Sequence, residues 1–466
     1  MVQYFESQFV KNERLSALKV AKFGGTSLAD AAQIKKVCNI MLSDRQRRFM
    51  VVSAPGKRFS EDIKVTDMLI ACAEAVKRGE SGEPEMEAVA ERYISIAQEL
   101  NVPQAGDKIR EDLLALLKGT YADEARLMDT MKAAGEDNCA KLVAAYLNSL
   151  GEQATYIHPG QAGLLLTSEF GNAKVIESSY ENLAELRKMK GIGVFPGFFG
   201  VSEKGEVVTF PRGGSDISGA ILAAALRAKV YENFTDVDYV CAVNPKLVEN
   251  ACPIETITYR EMRELSYAGF NVYQEEALLP VFRRGIPVNV RNVNNPSCPG
   301  TMIVAGREYE ELPVVGIASD DDFCSIYVSK YLMNREVGFG RRLLEILENE
   351  GVSYEHTPTG IDDLSVVIRE NQLTKEKLSR IVNRIKFDLQ ADDVHVKHHL
   401  SLVVIVGEGM RNSVGIAAKA TAALAESGVN IEMISQGSSE VSMVFAVSNE
   451  DSKRAVITLY NKFFQQ

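Results

Sequence analysis

The stretch VGFGRRLLEILENEGVSYE, residues 337–355, recurs as VGIAAKATAALAESGVNIE at residues 414–432, without a gap and offset by 77 residues. Val337/Val414, Gly338/Gly415, Leu347/Leu424, Gly351/Gly428, Val352/Val429 and Glu355/Glu432 are identical pairs. A β-rich run precedes each copy (CSIYVSKYLM; SLVVIVGEGM) and another follows it (LSVVIRE; VSMVFAVSN). Each unit reads β–turn–α–β–β with a second helix to come, so a small α+β module is present twice. Duplicated modules can bury apolar faces against each other. The polar run AGREYEELP, residues 305–313, closes off what precedes them.

Upstream the pattern is different. LKVAKF, LADAAQIKKVCNIML and RRFMVVSA read as strand, helix and buried strand. Residues 65–150 hold long helical periodicity with few breakers. From residue 154, ATYIHPG, KVIES, GVFPGFFGV and VVTF read as strands, then SDISGAILAAALRA as a helix and YENFTDV as a strand. Such alternation predicts an α/β unit whose mainly parallel sheet is sandwiched by helices. A chain of 466 residues suggests about three domains, and the boundaries fall at 1–305, 306–392 and 393–466.

Lys and Arg number 52 against 63 Asp and Glu, a net charge of −11. That balance argues against nucleic acid as the partner, and any anionic ligand must be met by a local cluster of cations. Seven cysteines at scattered positions form no CxxC and no zinc spacing, as expected of reduced thiols. MVQYFESQFVKNERL is broken by charges, unlike a signal peptide, and no apolar run reaches membrane length. A cytoplasmic protein with no membrane partner is expected.

Four stretches carry chemistry. In KFGGTS, Lys22 stands on a strand just before Gly24 and Gly25, with Thr26 and Ser27 following. Glycine N–H groups can make an anion nest with an ammonium beside it; a Walker loop has the reverse order, lysine last. In TFPRGGSDISGA, Arg212 precedes Gly213 and Gly214, Ser215 reads as a helix N-cap and Asp216 falls in the first turn. A guanidinium there suits a carboxylate. In KAAGEDNCAKLVAAYL, Glu136 follows a glycine at a helix start, and either complements the helix dipole or pairs with a ligand ammonium. In NFTDVDYVCAVNPK, Thr235, Asp236 and Asp238 end a buried strand, as a polar turn or as ligand contacts. His395, His398 and His399 in HVKHH read as structural, with no metal assigned.

Taken together and in this order, KFGGTS, GE, RGGSD and TDVD resemble the aspartate kinases of the amino-acid kinase fold. The repeat resembles the paired ACT modules of those enzymes, which are ferredoxin-like. The resemblance runs from about Lys19 to the chain end and is closest to monofunctional members, leaving no room for a fused dehydrogenase. It implies ATP-dependent phosphorylation of the β-carboxylate of L-aspartate to 4-phospho-L-aspartate, the first step toward lysine, threonine and methionine. Lys22 and Asp216 would be catalytic. Lys22, Gly24, Gly25, Ser27, Thr235, Asp236, Asn244 and Lys246 would meet ATP. Ser53, Thr66, Glu136, Phe198, Arg212, Gly213 and Ser215 would line the aspartate pocket, with Arg212 on the α-carboxylate and Glu136 on the ammonium. Mg²⁺ would be bound mainly through ATP. Met333, Glu336, Gly338 and Glu355 would hold a small amino-acid effector, lysine or else threonine, and the ACT modules would make a homodimer or homotetramer.

Departures concentrate in the nucleotide strand, where relatives commonly read TDVDGVYTADPR. Tyr239 replaces glycine, Cys241 tyrosine, Asn244 aspartate and Lys246 arginine, and Cys252 stands where many relatives have lysine. Ala133 replaces a serine, and GFNVYQEEAL replaces GAKVLHP. Two other functions stay open at this point: a kinase for another amino acid such as glutamate, and an ACT-containing amino-acid sensor with an inactive kinase domain.

Overall fold

The computed structural model describes residues 17–270, 275–309 and 313–465. Residues 1–16, the middle of GFNVYQEEAL and part of AGREYEELP lie outside them. The chain forms two compact units. The first comprises Met1–Val240, Glu255–Tyr259 and Tyr273–Arg307, and the second Cys241–Ile254, Arg260–Val272 and Glu308–Gln466, so far as their residues are described.

The first unit is built on an eight-stranded sheet. Its order is Thr256–Thr258, Thr301–Val304, Val288–Asn292, Val230–Thr235, Lys19–Phe23, Arg47–Val52, Ile192–Pro196 and Ala154–Tyr156. All neighbours are parallel except Val288–Asn292 with Thr301–Val304. Parallel strands are covered on both faces, which is why they read as apolar runs. Phe23 and Phe234 stack at 4.9 Å on neighbouring strands. The helices Val65–Lys77, Glu83–Glu99, Pro103–Leu116 and Glu124–Ser149 pack Leu69, Tyr93, Leu113 and Met131 into the same core. The helix Gly214–Leu226 is buried along nearly all its length, as its uniformly apolar sequence requires.

One carboxylate is buried in that sheet, between two of its arginines. Glu232 is 1% exposed and accepts from Arg47 at 2.6 and 3.0 Å and from Arg291 at 3.0 Å. A buried carboxylate is tolerable only when paired in this way.

The second unit contains a five-stranded antiparallel sheet, ordered Asp363–Arg369, Gly316–Ser329, Asp393–Val406, Ser442–Ser448 and Met433–Ser435. The repeat is reproduced in register. Helices Phe339–Asn349 and Ile416–Glu426 start from Gly338 and Gly415, at φ 81° and 91°. Two long strands pair from end to end, Gly316 opposite Val406 and Ser329 opposite Asp393, with register shifts between Asp320 and Ser325. Val394, from the second copy's strand, therefore belongs to the first copy's core with Ile326, Leu343 and Ile381. Residues 241–254 group with this unit: Ala242 O accepts from Ile317 N at 2.7 Å, and Tyr460 Oη accepts from Cys252 N at 2.9 Å.

Four local expectations are corrected. KVIES is no strand; Val175 makes only an isolated bridge to Leu166. The strand expected after Val352 is reduced to bridges at His356 and Thr359, while the second copy keeps Met433–Ser435. Glu136 is not at a helix start, because the helix runs from Glu124 to Ser149 with Asp123 as its cap. Gly135 is a close-packing position there: a Cβ on it would stand 2.8 Å from that of Ala54. Ser215 is not an N-cap, because Gly213, at φ 84°, holds that place without a side-chain bond.

Removing Glu232 would leave the buried Arg47 guanidinium and the half-buried Arg291 guanidinium without the carboxylate they share. Glu232→Ala is expected to lose about 3–5 kcal/mol of unfolding free energy, measured by urea titration.

Candidate active site

Lys22 lies opposite Asn233 on the neighbouring parallel strand, near the carboxyl ends where open α/β sheets receive ligands. It is 8% exposed, and a lysine so enclosed needs a partner. Its Nζ stands 2.6 Å from Asp216 Oδ1, and Asn233 Nδ2 donates to the same oxygen at 2.8 Å. Asp216 comes from the first turn of the helix Gly214–Leu226. Asn233 was not singled out from sequence, although it stands in the buried strand just before the Thr235–Asp236 turn.

The turn after the strand is bare backbone. A Cβ on Gly24 would lie 3.7 Å from Lys22 Nζ, so the ammonium sits beside an uncovered main chain. Gly25 faces Gly56 so closely that a Cβ on Gly56 would meet the Gly25 carbonyl carbon at 2.6 Å. Gly56 N donates to Gly25 O at 2.8 Å. The Ser27 N–H closes the turn on Gly24 O at 3.0 Å, and its buried Oγ has no hydrogen-bond partner among the described residues.

The neighbouring segment begins at Ser53, whose N–H donates to Phe23 O at 3.2 Å, and ends at Thr66 in the first turn of the helix Val65–Lys77. Glu136 is 5% exposed. Burial pushes its carboxyl up to about 8, against the opposing pull of the Ala54 N–H, and Oε2 has no partner among the described residues. It is an acid held in a dry place, which a bound cation would ionise.

The second glycine pair packs as tightly as the first. A Cβ on Gly214 would meet Phe198 Cδ2 and Phe210 Cβ at 2.7 Å, and one on Gly197 would meet Ser215 at 2.7 Å. Phe198 holds φ 74° and donates its N–H to Ser218 Oγ at 3.0 Å. A non-glycine residue in that region costs about 1–3 kcal/mol, and such residues cluster at functional sites. Arg212, just before the pair, is exposed and makes no ion pair with another described residue.

Thr235 Oγ1 donates to Asp236 Oδ1 at 3.1 Å at the end of their strand. Asp236 lines a cleft of about 190 Å³ with Thr26, Asp30, Gln33, Lys57 and Arg58. Lys57 and Arg58 are cations the sequence reading passed over. Asn244 and Lys246 lie in residues 241–254 of the second unit, where Asn244 Oδ1 accepts from Lys246 N at 3.0 Å.

In the second unit Met333 is buried and Gly338 begins a helix. Glu336 is not a free surface acid: Lys330 Nζ stands at 2.6 Å and Arg342 also pairs with it, and the two hold its carboxyl below the usual range. Glu355 pairs with Arg369 at 3.1 Å and accepts from Tyr267 Oη. Its side chain is 6% exposed. His395 lies 3.3 Å from Asp393, and His398 3.2 Å from Glu370. No three His, Cys, Asp or Glu side chains converge as a metal site among the described residues, and no described helix is long and apolar enough to cross a membrane.

A lysine-first glycine turn on a parallel sheet defines the class. The amino acid kinase family model matches residues 17–292, and an ACT domain model matches residues 403–463. Aspartokinase 3 of Bacillus subtilis is 55% identical, over 96% of this chain and 99% of its own. The crystal structure of Clostridium acetobutylicum aspartate kinase superposes with a TM-score of 0.82 at 38% identity, over 96% of this chain and 99% of that one. E. coli aspartokinase III in complex with aspartate and ADP gives 0.76 at 26% identity, over 96% and 100%; its complex with lysine and aspartate gives 0.75. This chain belongs to the aspartokinase family.

Between the ordinary carboxyl value of 4.5 and about 8, folded Glu136 retains a proton that the unfolded chain has lost. Its contribution therefore lowers stability as pH rises through that window and is constant above it. Glu136→Gln is expected to flatten this slope, read from denaturant melts at pH 5, 6.5 and 8.

Proposed function

We propose that the Lys22–Asp216–Asn233 cluster and the Gly24–Gly25 turn carry phosphoryl transfer from ATP to the β-carboxylate of L-aspartate, giving 4-phospho-L-aspartate. The observation that carries this reading is the enclosed ammonium at 2.6 Å from Asp216, beside bare glycine backbone. A carboxylate is already ionised at neutral pH, so the acceptor needs no general base. The difficulty is repulsion between two anions brought in line, and positive charge fixed in advance relieves it. Asp216 holds Lys22 in place before substrate arrives; an incoming phosphate oxygen then shares the ammonium. Ser27 Oγ is a free hydroxyl at the same turn.

For aspartate, the exposed guanidinium of Arg212 takes the α-carboxylate and the unpartnered oxygen of Glu136 takes the ammonium. Ser53, Thr66, Phe198, Gly213 and Ser215 shape the pocket around them. Thr235 and Asp236 meet the nucleotide; the same role for Asn244 and Lys246 rests on the resemblance alone. A magnesium ion fits as one carried by ATP phosphates and water, given the lack of a protein cage among the described residues. It would supply charge neutralisation on the phosphates.

Domain limits at 305 and 392 are part of the same proposal, as is a homodimer or homotetramer built through the regulatory modules. Their turns present Val337 and Val414 with almost no cover. Lysine is the proposed effector, held at Met333, Glu336, Gly338 and Glu355. The E. coli complex with lysine supports lysine over threonine. Binding would release Glu336 and Glu355 from their arginines, and it inhibits only if the less active state is bound more tightly.

Trapping of the acyl phosphate as its hydroxamate tests the reaction. Lys22→Ala is expected to lower kcat by about 100-fold or more. Arg212→Ala is expected to raise the aspartate KM by about 10–100-fold, the worth of a charged hydrogen bond. Unchanged kinetics in both would sink the assignment. Because Glu136 is protonated below about 8, aspartate binding at pH 7 is expected to release a proton, seen by calorimetry in buffers of different ionisation enthalpy. Glu136→Gln should abolish that release.

A further inference from the structure

Two buried arginines lie outside the site just described, Arg47 on Glu232 and Arg92. Arg92, on the helix Glu83–Glu99, has a side chain only 5% exposed. Its Nη2 donates to Gly56 O at 2.9 Å and to Asp62 Oδ2 at 2.8 Å, and reaches Ile63 O at 3.5 Å. Nη1 adds Asp62 Oδ1 at 3.4 Å. Asp62 also accepts from the Arg58 N–H at 2.9 Å and from its guanidinium at 2.8 and 3.0 Å. The two arginines hold the Asp62 carboxyl well below the usual range.

These contacts gather one loop, residues 54–64. Its first end carries Gly56, which is bonded to Gly25 O and packed on that backbone. Its middle carries Lys57 and Arg58 to the cleft beside Thr26 and Asp236. Its far end leads into Thr66, with Val65 N donating to Pro55 O at 3.1 Å. Beside that backbone bond, Arg92 is the side chain that ties the two ends: one nitrogen binds Gly56 O near the start and Asp62 near the finish. No other described side chain bonds the Gly56 carbonyl.

We infer that Arg92 and Asp62 form a positioning clamp for phosphoryl transfer, fixing through Gly56 the height of the Gly25 turn beside Lys22. Neither residue touches the reacting groups. The inference rests on the proposed reading of that turn as the phosphate seat. Gly56 is held against that turn by its N–H bond to Gly25 O at 2.8 Å, and a Cβ on it would stand 2.6 Å from the Gly25 carbonyl carbon.

Arg92→Met, Arg92→Lys and Asp62→Asn test the clamp, with Lys22→Ala as the control on the reading beneath it. Turnover and both KM values are measured by hydroxamate formation well below each variant's melting temperature. Arg92→Met and Asp62→Asn are each expected to lower kcat by about 10–100-fold, since an ångström of misplacement costs up to that much. Their double variant is expected to lose no more than twofold beyond the worse single one, because they act as a unit. Arg92→Lys, which keeps the charge but not the fork, should fall between Arg92→Met and the parent. A merely structural arginine would lower the melting temperature and leave kcat untouched. Values of kcat and KM within twofold of the parent in Arg92→Met overturn the clamp while the site reading stands. If Arg92→Met does not fold, Asp62→Asn decides by the same criterion, and losses that multiply in the double variant also overturn it. An active Lys22→Ala removes both.

Discussion

Everything in the catalytic unit is arranged around an ammonium that water hardly reaches. Lys22 is 8% exposed, and a cation so placed is stable only while something nearby carries the opposite charge. Asp216 does so in the described structure, and Asn233 fixes its carboxylate from the neighbouring strand. On the proposed reading, a phosphate approaching the same ammonium meets positive charge already desolvated and oriented. The cost of holding it there was met when the sheet folded, not when substrate arrives.

That placement in turn requires close backbone packing. Gly25 against Gly56, Gly214 against Phe198, Gly197 against Ser215 and Gly135 against Ala54 are four contacts where a side chain has no room. They draw the strand-end turns, the loop after Val52 and the helix carrying Glu136 toward one region of the first unit. The helices on one face of the sheet serve the same end from outside, one lending Glu136 and another lending Arg92. The second unit uses a different device, pairing two long strands so that Val394 of the second copy joins the core of the first.

Much of this was legible in the sequence. The repeat predicted its own helices, and the two glycine pairs marked two closely packed turns, one beside a lysine and one beside an arginine. What failed was local punctuation. Glycine before Glu136 looked like a helix start, but its role is close packing in mid-helix, a tertiary reason that no window shows. Ser215 looked like a cap, but Gly213 took the cap with a left-handed backbone. Asn233, Gly56, Asp62 and Arg92 act through partners between 17 and 36 residues away and have no motif of their own. The ion pairs of Glu336 and Glu355 had no signature in the sequence, because their cationic partners, among them Arg342 and Arg369, are set against them only by the folded module.

The central claim is that one set of positive groups, Lys22 foremost, gathers aspartate and the nucleotide. The most direct measurement is a crystal structure with aspartate and a non-hydrolysable ATP analogue. The account predicts the β-carboxylate oxygen in line with the γ-phosphorus at about 3–3.5 Å, with Lys22 Nζ on the phosphate and Arg212 on the α-carboxylate. Ligands seated away from both residues, with Lys22 still bonded to Asp216 alone, would contradict it.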